Sequence, residues 1–164
     1  MESRIISRGE FFIIGFQKVI TLQFSGENKQ IESLQELMTE ERKARLLAMN
    51  DTEPKGIISV SADFSDRTRE GSTLKQYLGI ASSSGTADGF DVLHVPASCW
   101  AVFPACGRYP EALQDTWASI YSEWLSGSGY ELTGGAEILW NESDDTSRDD
   151  FRSEIWIPVC PSMN

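Results

Sequence analysis

The feature that most constrains the fold is a helical pattern followed by two strand patterns in the last third of the chain. Residues 111–125 carry apolar side chains at helical spacing, which form one wide stripe. The stripe consists of Leu113, Trp117, Ile120, Tyr121 and Trp124. Residues 130–140 and 152–159 are typical of strands and are separated by a polar, acidic loop. The pattern predicts a helix followed by two neighbouring strands.

The first half of the chain shows the same order of patterns. A strand pattern at residues 4–22 is followed by an amphipathic helical pattern at 28–49 and by strand patterns at 56–64 and 73–82. A small polar linker at 83–89 precedes the second half, which begins with short extended pieces. We therefore predict that a β-α-β-β order occurs twice.

The repeated order predicts a single domain of the α+β class over residues 1–164, with repeat units at about 1–82 and 90–160. A chain of 164 residues fits one domain and can bury a core of its own. Two such units most simply join into one curved antiparallel sheet with both helices on one face. The other face is then predicted to form a ligand groove between the units.

The net charge of the chain limits the classes of molecule that we expect it to bind. The chain has 25 acidic and 14 basic residues and a net charge of −11. An acidic surface repels phosphate backbones, so we expect no direct nucleic-acid binding. The same surface attracts cationic ligands and basic protein surfaces.

The composition also bears on cofactors and location. One histidine and three cysteines without metal-type spacing predict no metal site, no cofactor and no disulfide framework. No apolar run approaches the roughly 20 residues that span a bilayer, and the N-terminus lacks the apolar core of a signal peptide. We therefore expect a cytoplasmic protein without a membrane partner, as either a monomer or a homodimer.

Two carboxylates lie in mid-strand among apolar residues, Glu137 and Glu154. Strand alternation places Glu137 with Leu139 on one face, and Glu154 with Trp156 on one face. Because the β-branched residues of the opposite faces suit helix packing, we predict that Glu137, Glu154 and Trp156 point into the groove. An unpaired buried carboxylate is costly. A cationic ligand would remove that cost, and tryptophan rings add cation–π attraction.

Simpler interpretations of the same residues stay open. A glutamate in an edge strand usually faces solvent or pairs with a basic side chain. Glu154 is the weaker candidate because Arg148 and Arg152 are close to it in sequence. Trp100 and Tyr77 fit either a core or a groove.

Short motifs of the second half resemble a known family. They are Ser-Cys-Trp-Ala-Val-Phe at 98–103, Gly107, Thr-Trp-Ala-Ser-Ile-Tyr-Ser-Glu-Trp-Leu at 116–125, Ser-Gly-Tyr at 128–130, Ala-Glu at 136–137 and Glu-Ile-Trp-Ile-Pro at 154–158. Together they resemble the GyrI-like domain, which is also the effector-binding module of many AraC-type and MerR-type transcription regulators. The resemblance is strongest over residues 95–159. Over residues 1–82 it rests on element order and short pieces.

The resemblance implies a pseudo-twofold repeat with a ligand groove between the halves. It also implies that an acidic residue on the penultimate strand meets the charge of aromatic cations, and Glu137 matches that position. The tyrosine that follows in the family is Leu139 here, which removes one phenol. Trp156 and Trp100 stand at two aromatic positions of the family, so the resemblance implies a pocket for flat apolar cations.

The leading functional hypothesis is a non-enzymatic domain that binds small amphipathic or aromatic cations for sensing or sequestration. Since residues 1–24 already belong to the first strand pattern, we expect no helix-turn-helix domain and no DNA reading. One alternative is a protein-partner regulator such as a gyrase inhibitor. Another is a hydrolase with a groove glutamate as general base, although no nucleophile–base pair is visible. If Glu137 is an uncompensated buried charge, Glu137→Gln should keep or raise the stability of the ligand-free protein.

Overall fold

The computed structural model describes residues 2–23 and 28–162, which form an antiparallel sheet with helices. The strands are β1 (Arg4–Arg8), β2 (Phe11–Thr21), β3 (Ile58–Ala62), β4 (Thr73–Ser82), β5 (Asp91–Val95), β6 (Ser98–Cys106), β7 (Tyr130–Leu132), β8 (Glu137–Asn141) and β9 (Arg152–Pro161). The helical segments are a 3₁₀ turn (Lys29–Ile31), α1 (Glu32–Leu37), α2 (Glu40–Ala48), α3 (Glu111–Ser119), a π-helical turn (Ile120–Trp124) and α4 (Leu125–Gly127). No helix in these two ranges is long and apolar enough to cross a membrane.

The sheet joins the two halves of the chain through the next-to-last strand of each half, β3 and β8. Its strand order is β1-β6-β9-β8-β3-β4-β2-β5, and β7 pairs with β9. The two predicted units lie side by side as β2, β4, β3 and β8, β9, β6, and they meet where β3 pairs with β8. The α+β class and the single antiparallel sheet are confirmed. A superposition of the two units by a twofold rotation stays a prediction.

The outermost strands are exchanged between the halves. β1 precedes β2 in the chain but pairs with β6, and β5 precedes β6 but pairs with β2. The segment predicted as one strand at residues 4–22 is therefore two strands, separated by Gly9 and Glu10. Because each connection is only two residues long, the two ends of the sheet come close together, and the sheet is strongly curved.

Both helical regions cover the same face of the sheet, which we call the helix face. On the first half, Leu46 of α2 packs with Ile14 and Ile80. On the second half, Ile120 of the π-helical turn packs with Phe103 and others of its cluster. Cross-strand pairing carries this face continuously from β2 to β6. The prediction that both helices lie on one face is confirmed.

The opposite face, which we call the inner face, is filled by one apolar cluster from both halves. Its buried members are Phe11, Ile13, Ile58, Val60, Ala62, Tyr77, Ala81, Val95, Trp100, Val102, Ile138 and Trp156. The Trp100 ring lies 6.0 Å from the ring of Phe11 and 6.1 Å from that of Trp156, measured between centroids. Each large aliphatic or aromatic member of the cluster contributes on the order of 1.5–3 kcal/mol to stability. Side chains therefore occupy the face where the sequence predicted a groove, and a site must be sought on the helix face.

The helices differ from the predicted ones in their interruptions. The helix predicted at residues 28–49 is divided at Met38 and Thr39, because the Thr39 hydroxyl caps α2 by accepting a hydrogen bond from the Arg42 N–H at 3.3 Å. The helix predicted at residues 111–125 continues to Gly127 in the structure. It contains the π-helical turn, an irregularity that is frequent at functional sites.

Candidate ligand-binding site

The centre of the helix face is a polar row between the two helix-covered clusters. Strand pairing places Gln76, Ser61 and Glu137 side by side on β4, β3 and β8. Gln76 and Glu137 are buried, and the Ser61 hydroxyl donates to the Gln76 side-chain oxygen at 2.7 Å. Buried polar groups need hydrogen-bond partners. In this row, polar and charged side chains stand in place of the apolar packing of the two neighbouring clusters.

Glu137 is the charged member of the row, and its carboxylate has three donors. Arg67 donates from Nε to Oε2 at 2.9 Å and from Nη2 to Oε1 at 3.2 Å. The Tyr121 hydroxyl donates to Oε1 at 2.9 Å, and Arg67 Nη2 also donates to that hydroxyl oxygen at 2.8 Å. The Glu137 side chain is only 5% exposed and that of Arg67 19%. This bidentate, charge-assisted geometry is the strong form of an ion pair.

Aromatic rings complete the surroundings of the Arg67 guanidinium. Its carbon lies 4.5 Å from the centroid of the Tyr121 ring and 5.1 Å from that of Phe64. Ring faces at such distances attract cations. The site therefore already holds one cation, between a carboxylate and two aromatic rings.

The protonation of the site follows from burial and charge. Burial works to lower the pKa of Arg67, but the hydrogen bond and the charge of Glu137 outweigh it and hold this pKa above its ordinary value. Burial and the Glu137 charge also raise the pKa of Tyr121 well above the usual value of a phenol. Arg67 is thus a permanent cation, and Tyr121 a neutral hydroxyl donor.

The connection between β3 and β4, residues 63–72, presents Arg67 to the site. The Ser72 hydroxyl lies 2.6 Å from the backbone oxygen of Asp66 and 2.7 Å from that of Arg69, and these two acceptors share its single proton. The Thr73 N–H donates to the Ser65 hydroxyl at 2.9 Å. These contacts fix the backbone of the connection beside Glu137.

Tyr121 reaches the site from the π-helical turn. The preceding residue, Ile120, is fully buried in the apolar cluster beneath the helix and anchors the turn. Tyr121 packs at the margin of that cluster and directs its hydroxyl to Glu137. Ile120 thus packs the helix on the sheet, and Tyr121 contributes its hydroxyl to the site.

A pocket adjoins the ion pair. It has a volume of about 160 Å³ and lies between the β3–β4 and β7–β8 connections, with Phe64, Arg67, Glu137, Leu132 and Pro158 among its lining residues. Sites for drug-sized ligands measure roughly 300–1,000 Å³. With Arg67 in place, the pocket is therefore smaller than such a ligand requires.

A second pocket, of about 420 Å³, lies beside α2 and is lined partly by Arg45, Met49 and Phe90. The carboxylate in its lining, Asp88, is exposed to solvent. An exposed carboxylate is solvated and does not need a ligand. This pocket therefore lacks the buried charge that distinguishes the Glu137 site. In the described ranges, no group of three or more His, Cys, Asp or Glu side chains could hold a metal ion.

The structure corrects the predicted face of Glu137 and Leu139. Ile138 pairs with Trp156 and belongs to the inner cluster, whereas Leu139 pairs with Ile155 and packs on the helix side. Cross-strand partners point to the same face, so Glu137 and Leu139 lie on the helix face, opposite Trp156. The prediction that Glu137 shares a face with Trp156 is wrong. Both alternating sets of β8 are apolar enough to be buried, so the pattern did not select between them.

Trp100, Trp156 and Tyr77 are inner-face residues and pack in the apolar cluster. For Trp100 and Tyr77, this decides between the two interpretations in favour of the core. The Trp100 Nε1–H is buried and has no hydrogen-bond partner among the described residues. These three aromatic residues are thus separated from Glu137 by the thickness of the sheet.

Glu154 also lies on the face of Trp156. It accepts a hydrogen bond from the Trp156 Nε1 at 3.1 Å and forms an ion pair with Arg4 at 3.3 Å. The partner of Glu154 is thus Arg4 rather than Arg148 or Arg152, the basic residues close to it in sequence, and Arg148 pairs with Asp150 at 3.0 Å. The predicted site residues are therefore divided between two faces and do not form one site.

Three residues of the site were not predicted: Phe64, Arg67 and Tyr121. In the sequence, Tyr121 belongs to the apolar stripe of its helix, and Arg67 lies between the strand patterns at 56–64 and 73–82. Their meeting with Glu137 depends on the pairing of β3 with β8. The sequence signals this site only through a combination of two features: a glutamate among apolar residues, Glu137, and a basic residue, Arg67, in the connection between two predicted strands.

The family is decided by a comparison with family models. The model of the GyrI-like small molecule binding domain matches residues 1–159. The chain belongs to the GyrI-like family. The resemblance of the sequence motifs to this family is thus confirmed, and the domain is a small-molecule-binding one.

Solved structures share the GyrI-like fold over nearly the whole chain. The structure of SAV2435 bound to tetraphenylphosphonium has a TM-score of 0.78 at 18% identity and covers 98% of this chain and 94% of that one. The C-terminal domain of EcmrR has a TM-score of 0.61 at 13% identity, with 98% of both chains covered. A hydrolase from Listeria innocua has a TM-score of 0.53 at 13% identity, with 97% and 92% covered. No curated protein matches the sequence significantly.

Proposed function

We propose that this GyrI-like domain binds small aromatic or amphipathic organic cations at Glu137, for sensing or sequestration. The observation that carries the proposal is a buried carboxylate that already holds a guanidinium against two aromatic rings. A carboxylate fixed in a strand at this depth requires a positive partner. The same surroundings suit the positive charge of an aromatic ligand.

Other features support the same class of ligand. The net charge of −11 raises the local concentration of cations around the protein. SAV2435, a structural neighbour, is bound to tetraphenylphosphonium, an aromatic cation. Leu139, on the same face as Glu137, packs in the same apolar cluster as Tyr121. Trp100, Trp156, Tyr77 and Glu154 are left out of the proposed site because they lie on the inner face.

A hydrolytic role for Glu137 is not favoured by the geometry. Both carboxylate oxygens accept hydrogen bonds from Arg67, and one of them accepts a third from Tyr121. The carboxylate is thus engaged with the protein's own donors rather than held in reach of a substrate proton.

The test compares two ions of the same shape and opposite charge. Tetraphenylphosphonium should quench tryptophan fluorescence and raise the melting temperature in a concentration-dependent way, whereas tetraphenylborate should not. Glu137→Gln keeps the shape and deletes the charge, so phosphonium binding should weaken by about 2–4 kcal/mol.

Two results would contradict the proposal. Unchanged phosphonium affinity in Glu137→Gln would make this residue a structural carboxylate. An equal response to both ions would show that the protein does not select charge, and would favour the protein-partner alternative.

A further inference from the structure

Arg67 occupies the position in which the proposed function places a ligand. We propose that Arg67 is an internal ligand of the Glu137 site, and that the external ligand displaces it with a guanidinium or amidinium group carried on an aromatic ring. This inference rests on the proposed function. It adds the chemical class of the ligand and the way in which access to the site is controlled.

The contacts of Arg67 define the group that fits. The guanidinium donates two hydrogen bonds to the Glu137 carboxylate and one to the Tyr121 oxygen. It also lies over the rings of Phe64 and Tyr121. A planar cation with several N–H groups satisfies all of these contacts at once. A quaternary cation supplies the charge and the ring contacts, but it has no N–H group to donate.

The position of Arg67 in the fold allows its guanidinium to leave. The connection that carries it is held by backbone and hydroxyl groups, such as the Ser65 N–H on the Thr73 oxygen and the Gly71 N–H on the Leu22 oxygen, both at 2.9 Å. None of these bonds involves the Arg67 side chain. Rotation of that side chain toward solvent therefore leaves the connection intact, whereas Glu137 stays fixed in β8.

The size of the pocket also supports the displacement of Arg67 by a ligand. The present volume of about 160 Å³ is bounded by Arg67 itself. Withdrawal of the guanidinium joins the space that it vacates to this pocket, next to the carboxylate. A ring that carries a cation then enters the pocket, and the cation takes the former position of Arg67.

An internal competitor lowers the apparent affinity of an external ligand. The apparent dissociation constant equals the intrinsic one divided by the fraction of molecules in the competent state. Minor states of proteins are commonly populated at roughly 0.1–10%. Removal of the Arg67 guanidinium should therefore tighten binding by at least about tenfold.

The experiment measures binding of phenylguanidinium, phenyltrimethylammonium and the uncharged phenylurea to the wild type and to Arg67→Ala, by calorimetry at physiological ionic strength. Arg67→Ala should bind phenylguanidinium at least about tenfold more tightly than the wild type does. It should also bind phenylguanidinium more tightly than phenyltrimethylammonium, and phenylurea least. Arg69→Ala is the matched control. It removes one positive charge from an exposed position of the same connection, and its binding should equal that of the wild type.

The double variant Arg67→Ala/Glu137→Gln separates the two proposals. It should lose the tight binding of phenylguanidinium. The inference is overturned, and the proposed function stands, if tetraphenylphosphonium binds the wild type through Glu137 while Arg67→Ala gains no affinity or prefers phenyltrimethylammonium. Both fail if no cation binds in a manner that depends on Glu137. Should Arg67→Ala fail to fold, Arg67→Met keeps the apolar stem and gives the same comparison.

Discussion

Glu137 and Glu154 lie on adjacent strands, β8 and β9, but they belong to different environments. Glu137 is on the helix face, 5% exposed, and is held by two hydrogen bonds from Arg67 and one from Tyr121. Glu154 is on the opposite face and 23% exposed, where it forms an ion pair with Arg4, whose side chain is 52% exposed, and accepts a hydrogen bond from Trp156. The two carboxylates look alike in the sequence but differ in the face they occupy, in exposure and in the number of hydrogen bonds from their arginine.

The difference teaches that depth and the origin of the partner, rather than the residue type, mark a binding site. An exposed pair such as that of Glu154 contributes about 0–1 kcal/mol, because water solvates both charges. A buried carboxylate has no such alternative and depends on its partner. The partner of Glu137 comes from a connection rather than from the sheet, which is why we propose that another cation can take its place.

The largest expected effect is that of removing the buried partner. Arg67→Met keeps an apolar stem but leaves the Glu137 carboxylate unpaired in β8. We expect the free energy of unfolding to fall by about 3 kcal/mol, measured by urea denaturation at neutral pH. Arg4→Met, the equivalent change beside Glu154, should cost no more than about 0.5 kcal/mol.

The matched control for the comparison of Arg67→Met with Arg4→Met is Arg69→Met. It changes an exposed residue of the connection between β3 and β4 that also carries Arg67. Its cost should lie within about 0.5 kcal/mol of zero. Equal costs for Arg67→Met and Arg4→Met would remove the distinction between the two carboxylates.

The next effect in size is that of Glu137→Gln, which should lower the free energy of unfolding by about 1–2 kcal/mol. The sequence led to the opposite expectation, of unchanged or higher stability, because it showed no partner for Glu137. With Arg67 bound, the charge is compensated and its removal costs an interaction. The cost should stay below that of Arg67→Met, since the freed guanidinium can turn to solvent. A greater cost than that of Arg67→Met would show that Arg67 cannot leave, which also argues against its displacement by a ligand.

Much of this arrangement could be predicted from the sequence, and the part that could not has a physical reason. Periodicity identified most of the elements, and the apolar context of Glu137 marked it as unusual. Alternation shows which residues share a face, but it does not show which face a helix covers. Ile138 and Leu139 fit either side equally well, and a shift by one residue exchanges the two faces.

The position of Arg67 required the topology of the sheet. Arg67 is 70 residues away from Glu137 in the chain, and the two meet because β3 pairs with β8 at the junction of the halves. The exchange of β1 and β5 between the halves is also a long-range pairing. Local patterns carry no information on such pairings.

A smaller effect, with a pH dependence, is expected for Tyr121→Phe. Loss of the hydroxyl that donates to Glu137 should cost about 1 kcal/mol at neutral pH. An unfolded tyrosine ionises near pH 10, whereas burial and the Glu137 charge raise the pKa of Tyr121 in the folded protein. Above about pH 10 the unfolded state therefore releases a proton that the folded state retains, and stability falls as the pH rises.

The measurement is the free energy of unfolding at a series of pH values above neutrality, together with phenolate absorbance in the native state. The decline of stability above about pH 10 should be less steep in Tyr121→Phe than in the wild type. Identical slopes would show that Tyr121 ionises freely, and that the Glu137 site is open to water as the surroundings of Glu154 are.

The smallest effect is expected for Glu154→Gln. The amide oxygen can still accept the hydrogen bond from the Trp156 Nε1, so only the exposed ion pair with Arg4 is lost. The free energy of unfolding should change by no more than about 0.5 kcal/mol, and the affinity for tetraphenylphosphonium should stay within about twofold of the wild type. Both quantities can be measured on the same samples as those of Glu137→Gln, so that expression and buffer are matched. If Glu154→Gln weakened phosphonium binding as much as Glu137→Gln does, the ligand would have to contact the inner face. The apolar cluster around Trp100 and Trp156 would then have to open, and the assignment of the site to the helix face would be lost.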